Sequence, residues 1–340
     1  MEHLDRQSPA EPPRPGRGEV LLEVEDLHTQ FDINGAVGRA VDGVSFSVHR
    51  GETLGIVGES GSGKSMAALS ILRLTPRPYS RIAGGSIRFK GVDLVRLSEA
   101  EMRRYRGRHI AMVLQDPMTA LNPVLTIGEQ IEEAIRTHQS LPRAEVRRRA
   151  VEMLQLLRVP AAAERLRSYP HEFSGGMRQR VVGAIALACE PELLIADEPT
   201  TALDVTVQDQ YLRLMKRIQR ERGTSVIFIT HDLAVVARMC DRVAVMYGGR
   251  IVETAPTRAL FANPRHPYTR ALLRSLLDDD ADPGRRLQSI EGTPPPIFGK
   301  PAGCSFAPRC PGATARCRAE SPGETVLDHD HAARCWELAA

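Results

Sequence analysis

The spacing of hydrophobic positions changes several times along this chain, and each change marks an element. From Val20 the runs VLLEVEDL, AVDGVSFSV and TLGIVG are short, β-branched and bounded by Gly or Asp, which predicts strands. The glycine-rich octet GESGSGKS (58–65) follows the third run, and SMAALSILRL continues with helical spacing. From Gln115 to about Tyr169 the strand signal gives way to two helical stretches, TIGEQIEEAIRTH and RAEVRRRAVEMLQLLRV. Strands return as LLIAD, SVIFIT and RVAVMY, separated by the helical TVQDQYLRLMKRIQRE and LAVVARMC. Strands alternating with helices predict an α/β fold, with a mostly parallel sheet covered on both faces. A small helical subdomain over about 116–178 interrupts it. The ends differ from this middle. Residues 1–18, rich in Pro and charge, read as a disordered tail before a nucleotide-binding domain over 19–262. An extension over 263–340 opens with PRHPYTRALLRSLL, one amphipathic helix, followed by an acidic linker, DDDADPGRR. Its remainder is rich in Pro, Gly and Cys and has few periodic segments.

Composition narrows the class. With 340 residues and 42% hydrophobic content the chain can bury a sizeable core. A net charge of +3 gives no sign of nucleic acid as a partner. The cationic residues are almost all Arg, with Lys at 64, 90, 216 and 300, so a Lys inside the glycine-rich loop stands out. The longest apolar run, VVGAIALAC, is about half of the roughly 20 residues that span a bilayer. The polar, Pro-rich start lacks the apolar core of a signal peptide. The expectation is a cytosolic protein that meets a membrane only through a partner.

The octet fits the phosphate-loop pattern G-x-x-x-x-G-K-[ST], and a strand before it and a helix after it are the context that pattern requires. Backbone N–H groups from Gly58, Ser60, Gly61, Ser62 and Gly63 can close around phosphate oxygens because no Cβ intervenes at the glycines. Lys64 would bridge the β- and γ-phosphates of ATP and the Ser65 hydroxyl would ligate Mg²⁺. A plain glycine turn is the bland reading, and the flanking strand and helix argue against it. Asp197 and Glu198 end an apolar strand, where a carboxylate pair is costly without a cation. Asp197 would hold Mg²⁺, and Glu198 would deprotonate the attacking water. His231 ends SVIFIT and Gln115 ends HIAMVLQ; singly each is as easily structural, but together they outline one site.

This set, with FSGGMRQR (173–180), resembles the ATP-binding subunit of an ABC transporter over roughly residues 20–260. The resemblance implies a P-loop NTPase core of the ABC ATPase type, with a helical subdomain and a Cys-containing C-terminal extension. It makes Ser174, Gly175 and Gly176 the signature that binds the γ-phosphate of ATP held by a second subunit. Gln115 resembles the glutamine that senses Mg²⁺ and the transmembrane partner. Ala202, Leu203 and Asp204 resemble the D-loop that communicates across the dimer, and His231 the switch histidine. Phe31 resembles the aromatic that stacks on adenine, a core Phe being the alternative. Phe173 and Met177 depart from the family's usual Leu and Gln. The stretches QDPMTALNPVLTIGEQI, DEPTTALDVTVQ and HPYTRALL are similar to the oligopeptide/dipeptide importer subfamily, and Met177 to the first of its two ATPase subunits. That likeness implies two permease subunits, a second ATPase subunit and an extracytoplasmic substrate-binding protein as partners, at the cytoplasmic face of the membrane. Nickel or another small solute is the alternative cargo. A soluble ABC ATPase of DNA repair is disfavoured, because only 110 positions separate Lys64 from Ser174, too few for a long coiled coil.

Four of the six cysteines, Cys304, Cys310, Cys317 and Cys335, crowd into the extension. Disulfides are disfavoured in a cytosolic protein, and none of the pairs has the close spacing of structural zinc sites. An iron–sulfur cluster, zinc with help from His329 and His331, or free thiols remain open on spacing alone. The importer resemblance implies a [4Fe–4S] cluster. A metal would also explain how a Pro- and Gly-rich stretch with little core folds. Cys189 and Cys240 sit on apolar helical stretches and read as small core residues.

Overall fold

The structure, a computed structural model, describes residues 18–201, 203–275, 290–328 and 330–338. The expected tail up to residue 17, the acidic linker, Ala202 and His329 lie outside the described residues. In chain order the strands are β1 (Val20–Ile33), β2 (Ala36–His49), β3 (Thr53–Val57), β4 (Ser80–Phe89), β5 (Val92–Asp93) and β6 (Ile110–Val113). Then come β7 (Leu193–Asp197), β8 (Ser225–Thr230), β9 (Arg242–Tyr247), β10 (Arg250–Pro256), β11 (Thr325–Asp328) and β12 (His331–Ala333). They form a four-stranded antiparallel sheet, β2-β1-β4-β5, and an eight-stranded sheet, β11-β12-β10-β9-β3-β8-β7-β6.

The predicted parallel sheet is the middle of the larger one: β9, β3, β8, β7 and β6 all pair in parallel, while β10, β12 and β11 add an antiparallel edge. Its strands read as unbroken apolar runs because both faces are buried. Along β7, Leu193 and Ile195 join a core with Leu54, Ile56, Ile227 and Ile229 beneath the antiparallel sheet. Leu194 and Ala196 point the other way, into a core with Val226, Phe228 and Val243. Because the five strands are parallel, their carboxyl ends share one edge, and the residues following β3, β6, β7 and β8 meet there.

The antiparallel sheet was not foreseen. The two first apolar runs are one long hairpin whose turn is Asn34-Gly35, with φ of 53° and 78°. Positive φ at both central residues suits the right-handed twist of the flanking strands, and Asn-Gly is the pair that adopts it most readily.

The two helical stretches fold as two helices that share one core with the sheet and with a third helix, Gly175–Leu187. Helix Ile127–His138 is closed by a capping box, in which Thr126 Oγ1 accepts the Glu129 N–H at 3.2 Å and the Glu129 carboxylate accepts the Thr126 N–H at 2.8 Å. Ile127, Ile131 and Ile135 form its buried stripe against Val146, Ala150 and Leu154 of Arg143–Leu156 and Val181 and Ala184 of Gly175–Leu187.

The extension returns to the main sheet, since β12 pairs with β10. Its helix is shorter than the periodicity predicts, Pro267–Arg274, because His266 caps it and accepts the Tyr268 N–H at 3.1 Å through Nδ1. Burial pulls the His266 pKa down to about 3, so the ring stays neutral in that role.

Candidate functional site

The phosphate loop leaves β3 at Gly58 and enters helix Lys64–Ile71 at Gly63. Gly63 has φ 102°, and a Cβ there would lie 2.4 Å from the Ala40 carbonyl oxygen; at Gly58 it would lie 2.1 Å from that of Met246. Neither position accepts a side chain, so the loop's path depends on both glycines. Lys64 is buried, and its Nζ donates to the Gly58 and Glu59 carbonyl oxygens at 2.8 and 3.0 Å. Burial lowers its pKa, while Glu198, Asp197 and Glu59 nearby oppose that shift.

Next to the loop, Ser65 Oγ donates to Asp197 Oδ1 at 3.1 Å. Asp197 is 5% exposed, and burial raises its carboxyl pKa against the Ser65 hydrogen bond. Glu198 follows with φ 45°, a left-handed conformation that a non-glycine residue adopts at a cost. Its N–H donates to the Ile229 carbonyl at 2.9 Å, which holds the turn in place. Its carboxylate gathers three side chains, two of them from other segments. Gln115 Nε2 and Thr201 Oγ1 donate to Oε2 at 3.1 and 3.0 Å, and His231 Nδ1 lies 3.3 Å from Oε1. The structure thus brings Lys64, Ser65, Gln115, Asp197, Glu198 and His231 to one edge of the sheet. Thr201 was missed; it stands three residues past Glu198 in EPTT, where only its hydroxyl hinted at a role.

Ser174, Gly175 and Gly176 are not part of this cluster. Ser174 caps helix Gly175–Leu187, accepting the Met177 N–H at 3.4 Å, and a Cβ on Gly175 would meet nothing within 4 Å. A Cβ on Gly176 would lie 2.7 Å from Val207 Cγ1 on helix Val205–Arg222, itself capped by Asp204, which accepts the Val207 N–H at 2.9 Å. Ser174 and Asp204 therefore begin two adjoining helices, and Ser174, Gly175 and Asp204 are exposed. The two departures from the family pattern are absorbed by packing. Phe173 is buried beneath the Arg165 guanidinium, 5.3 Å from the ring centroid, and Met177 packs on the core. Phe31 is half-buried on β1, opposite Gly38 of β2 and Ser80 of β4.

With this geometry in view, two family models match the sequence: the ABC transporter family over residues 41–201 and the oligopeptide/dipeptide transporter C-terminal region over 252–317. The dipeptide transport ATP-binding protein DppD of Bacillus subtilis is 51% identical, covering 94% of this chain and 95% of that protein. The chain belongs to the ATP-binding proteins of peptide ABC transporters. The oligopeptide transport ATP-binding protein OppD of the same organism is 49% identical over 94% of this chain and 89% of its own. DppD of Escherichia coli is 48% identical over 93% and 96%. Among solved structures, the ATP-binding cassette MJ0796, as a dimer in a post-hydrolysis state bound to ADP and Pi, matches with a TM-score of 0.63 and 27% identity. That match covers 70% of this chain and 99% of that one. The fold is thus the P-loop fold of an ABC ATPase, with mixed α/β sheets. No helix among the described residues is long and apolar enough to cross a membrane.

The expectation of a [4Fe–4S] cluster, or of zinc, on Cys304, Cys310, Cys317 and Cys335 is corrected. Among the described residues no three His, Cys, Asp or Glu side chains are grouped to hold a metal ion. The thiols line a small cavity with Phe306 and Trp336, and burial raises the pKa of Cys304, Cys310 and Cys335. Cys317 Sγ lies instead 3.2 Å from the Thr314 hydroxyl. The extension also has the core that its composition concealed. Phe306 stands edge-on to Tyr247 at 5.2 Å and tilted against Tyr268 at 5.4 Å, and the Arg316 guanidinium lies 3.5 Å from the Trp336 ring centroid. A metal is not needed to explain its folding.

Proposed function

We propose that this chain is the ATP-hydrolysing subunit that powers peptide import through a membrane permease complex. The observation that carries the reading is the stationing of the Glu198 carboxylate by Gln115, Thr201 and His231, next to a glycine-built phosphate loop. In that role Lys64 and the N–H groups of residues 58–65 bind the ATP phosphates. The buried Asp197 carboxylate, bonded to a hydroxyl rather than to a cationic side chain, and Ser65 fit Mg²⁺, which takes few protein oxygens and completes its shell with phosphate and water. Gln115 would add its amide oxygen. Bound there, Mg²⁺ would neutralise charge developing on the phosphates. Glu198 accepts the proton of the attacking water, and His231 and Gln115 fix the carboxylate's orientation. Half-buried Phe31 would stack on the base.

The exposed Ser174–Gly175 helix start and Asp204 would face a second ATPase subunit, with Ser174 and Gly175 reaching the ATP held by that subunit's phosphate loop. Two permeases and an extracytoplasmic binding protein would make up the rest, with this chain on the cytoplasmic face. The reading is tested by reconstituting the chain with its permeases in proteoliposomes and following uptake of labelled di- and oligopeptides. Uptake that requires ATP and this chain is expected; ATP-dependent uptake of nickel but not of peptide would overturn the cargo.

A further inference from the structure

Glu59 is one of the four phosphate-loop residues that the pattern leaves undefined, and the extension grips it twice. Tyr268 Oη accepts the Glu59 N–H at 2.8 Å. Arg309 makes a two-pronged ion pair with its carboxylate, Nη1 to Oε2 at 2.7 Å and Nη2 to Oε1 at 3.0 Å. The partners are 250 positions apart in sequence. Arg309 is 5% exposed, and each of its five N–H groups is used. Besides the two on Glu59, one donates to Tyr247 Oη at 3.2 Å, one to the Ile290 carbonyl and one to the Glu291 carbonyl, both at 2.9 Å. Glu59 in turn is one of the two carbonyls that hold the Lys64 ammonium. Tyr268, Tyr247 and Phe306 form the aromatic floor beneath the pair.

A fork-to-fork pair of this kind fixes direction as well as distance, and lysine cannot reproduce it. Loop residue 59 is thereby locked between β9, the Pro267–Arg274 helix and segment 290–309. We propose that Arg309 is a positioning residue for ATP binding: through Glu59 it holds the phosphate loop, and with it Lys64, in the phosphate-accepting shape, so that the C-terminal extension sets the affinity of the nucleotide site. This rests on residues 58–65 being the ATP site.

The test is equilibrium binding of MgATP to the full-length chain, recording both affinity and the fraction of chains that bind. Arg309→Ala is expected to weaken affinity about tenfold or more, since it strips the half-buried Glu59 carboxylate of its two-pronged charged partner. Arg309→Lys falls between, because charge survives without the fork. Glu59→Gln weakens affinity too, and combining it with Arg309→Ala adds little, as for two residues acting as one unit. A merely structural role predicts a different split, with fewer binding-competent chains at unchanged affinity, and that result overturns the proposal, as do fully additive effects. Lys64→Ala separates the two levels. If it binds MgATP like wild type, the ATP site itself is misplaced; if it loses binding while Arg309→Ala does not, only the clamp fails.

Discussion

Two clusters of reactive side chains stand out in this molecule, and they have opposite characters. At the carboxyl edge of the parallel sheet, Asp197 and Glu198 are held by donors from three other segments, and one sits in a backbone conformation with a cost. In the extension, Cys304, Cys310, Cys317 and Cys335 surround a cavity of comparable chemical promise, yet they lie beside aromatic rings and burial raises the pKa of most of them. Both sets were conspicuous in the sequence. What separates them is that polar side chains from other segments converge on the carboxylates, whereas the thiols lie among aromatic rings and meet mainly backbone N–H groups, and spacing along the chain does not report that. A group of side chains becomes a site when rigid elements aim it.

The sharpest way to test the catalytic side of this contrast beyond the chain itself is Ser174→Arg, a bulky cation on the exposed helix start. It should lower turnover of the assembled transporter on the order of tenfold or more by blocking a phosphate contact. MgATP binding by the isolated chain's own phosphate loop should be unchanged. Loss of binding in the isolated chain would place Ser174 in the same site as Lys64 and not in a partner's.

A second prediction concerns charge at Asp197. Its folded-state pKa is raised by burial, so the native protein holds that proton more tightly than the unfolded chain does. Burying the ionised form therefore costs stability at neutral pH, and the cost is relieved as pH falls through the raised pKa. In nucleotide-free protein Asp197→Asn should be more stable than wild type at pH 7, with the gap closing in acid. For the same reason Mg²⁺-dependent turnover should fall off in acid at a higher pH than an ordinary carboxylate dictates. Thermal unfolding and turnover measured across pH would show both trends, and a gap that widens in acid would contradict the assignment.

On the cysteine side the effects should be small and graded. Cys317→Ala, at the most buried thiol, should cost about 1 kcal/mol of stability, and Cys335→Ala a few tenths, as expected for packing alone. ATP turnover should be unaffected. Four equal and severe losses, as for ligands of one cluster, would restore the metal reading; urea unfolding of the single variants distinguishes the two.

Much of the parallel core was legible because its strands are buried on both faces and so read as plain apolar runs, as LLIAD does. The phosphate loop was legible because backbone geometry allows only glycine at positions such as 58 and 63. The hairpin signal of Asn34-Gly35 was present and passed over. Strands β4, β10, β11 and β12 were missed for a physical reason: they lie at or near sheet edges, where glycines and charges such as Gly84, Gly85 and Glu253 break the alternation. The Arg309–Glu59 pair could not be read at all. No local pattern links residues 250 positions apart, and the loop motif treats position 59 as free.

The most direct measurement is steady-state ATP hydrolysis and MgATP affinity of Glu198→Gln, side by side with wild type in the assembled transporter. Removing the general base while keeping the shape of the side chain should slow turnover by about 10²-fold or more, with MgATP bound at least as tightly. Hydrolysis at the wild-type rate would contradict the role of Glu198, and with it the reading of this sheet edge as a catalytic site.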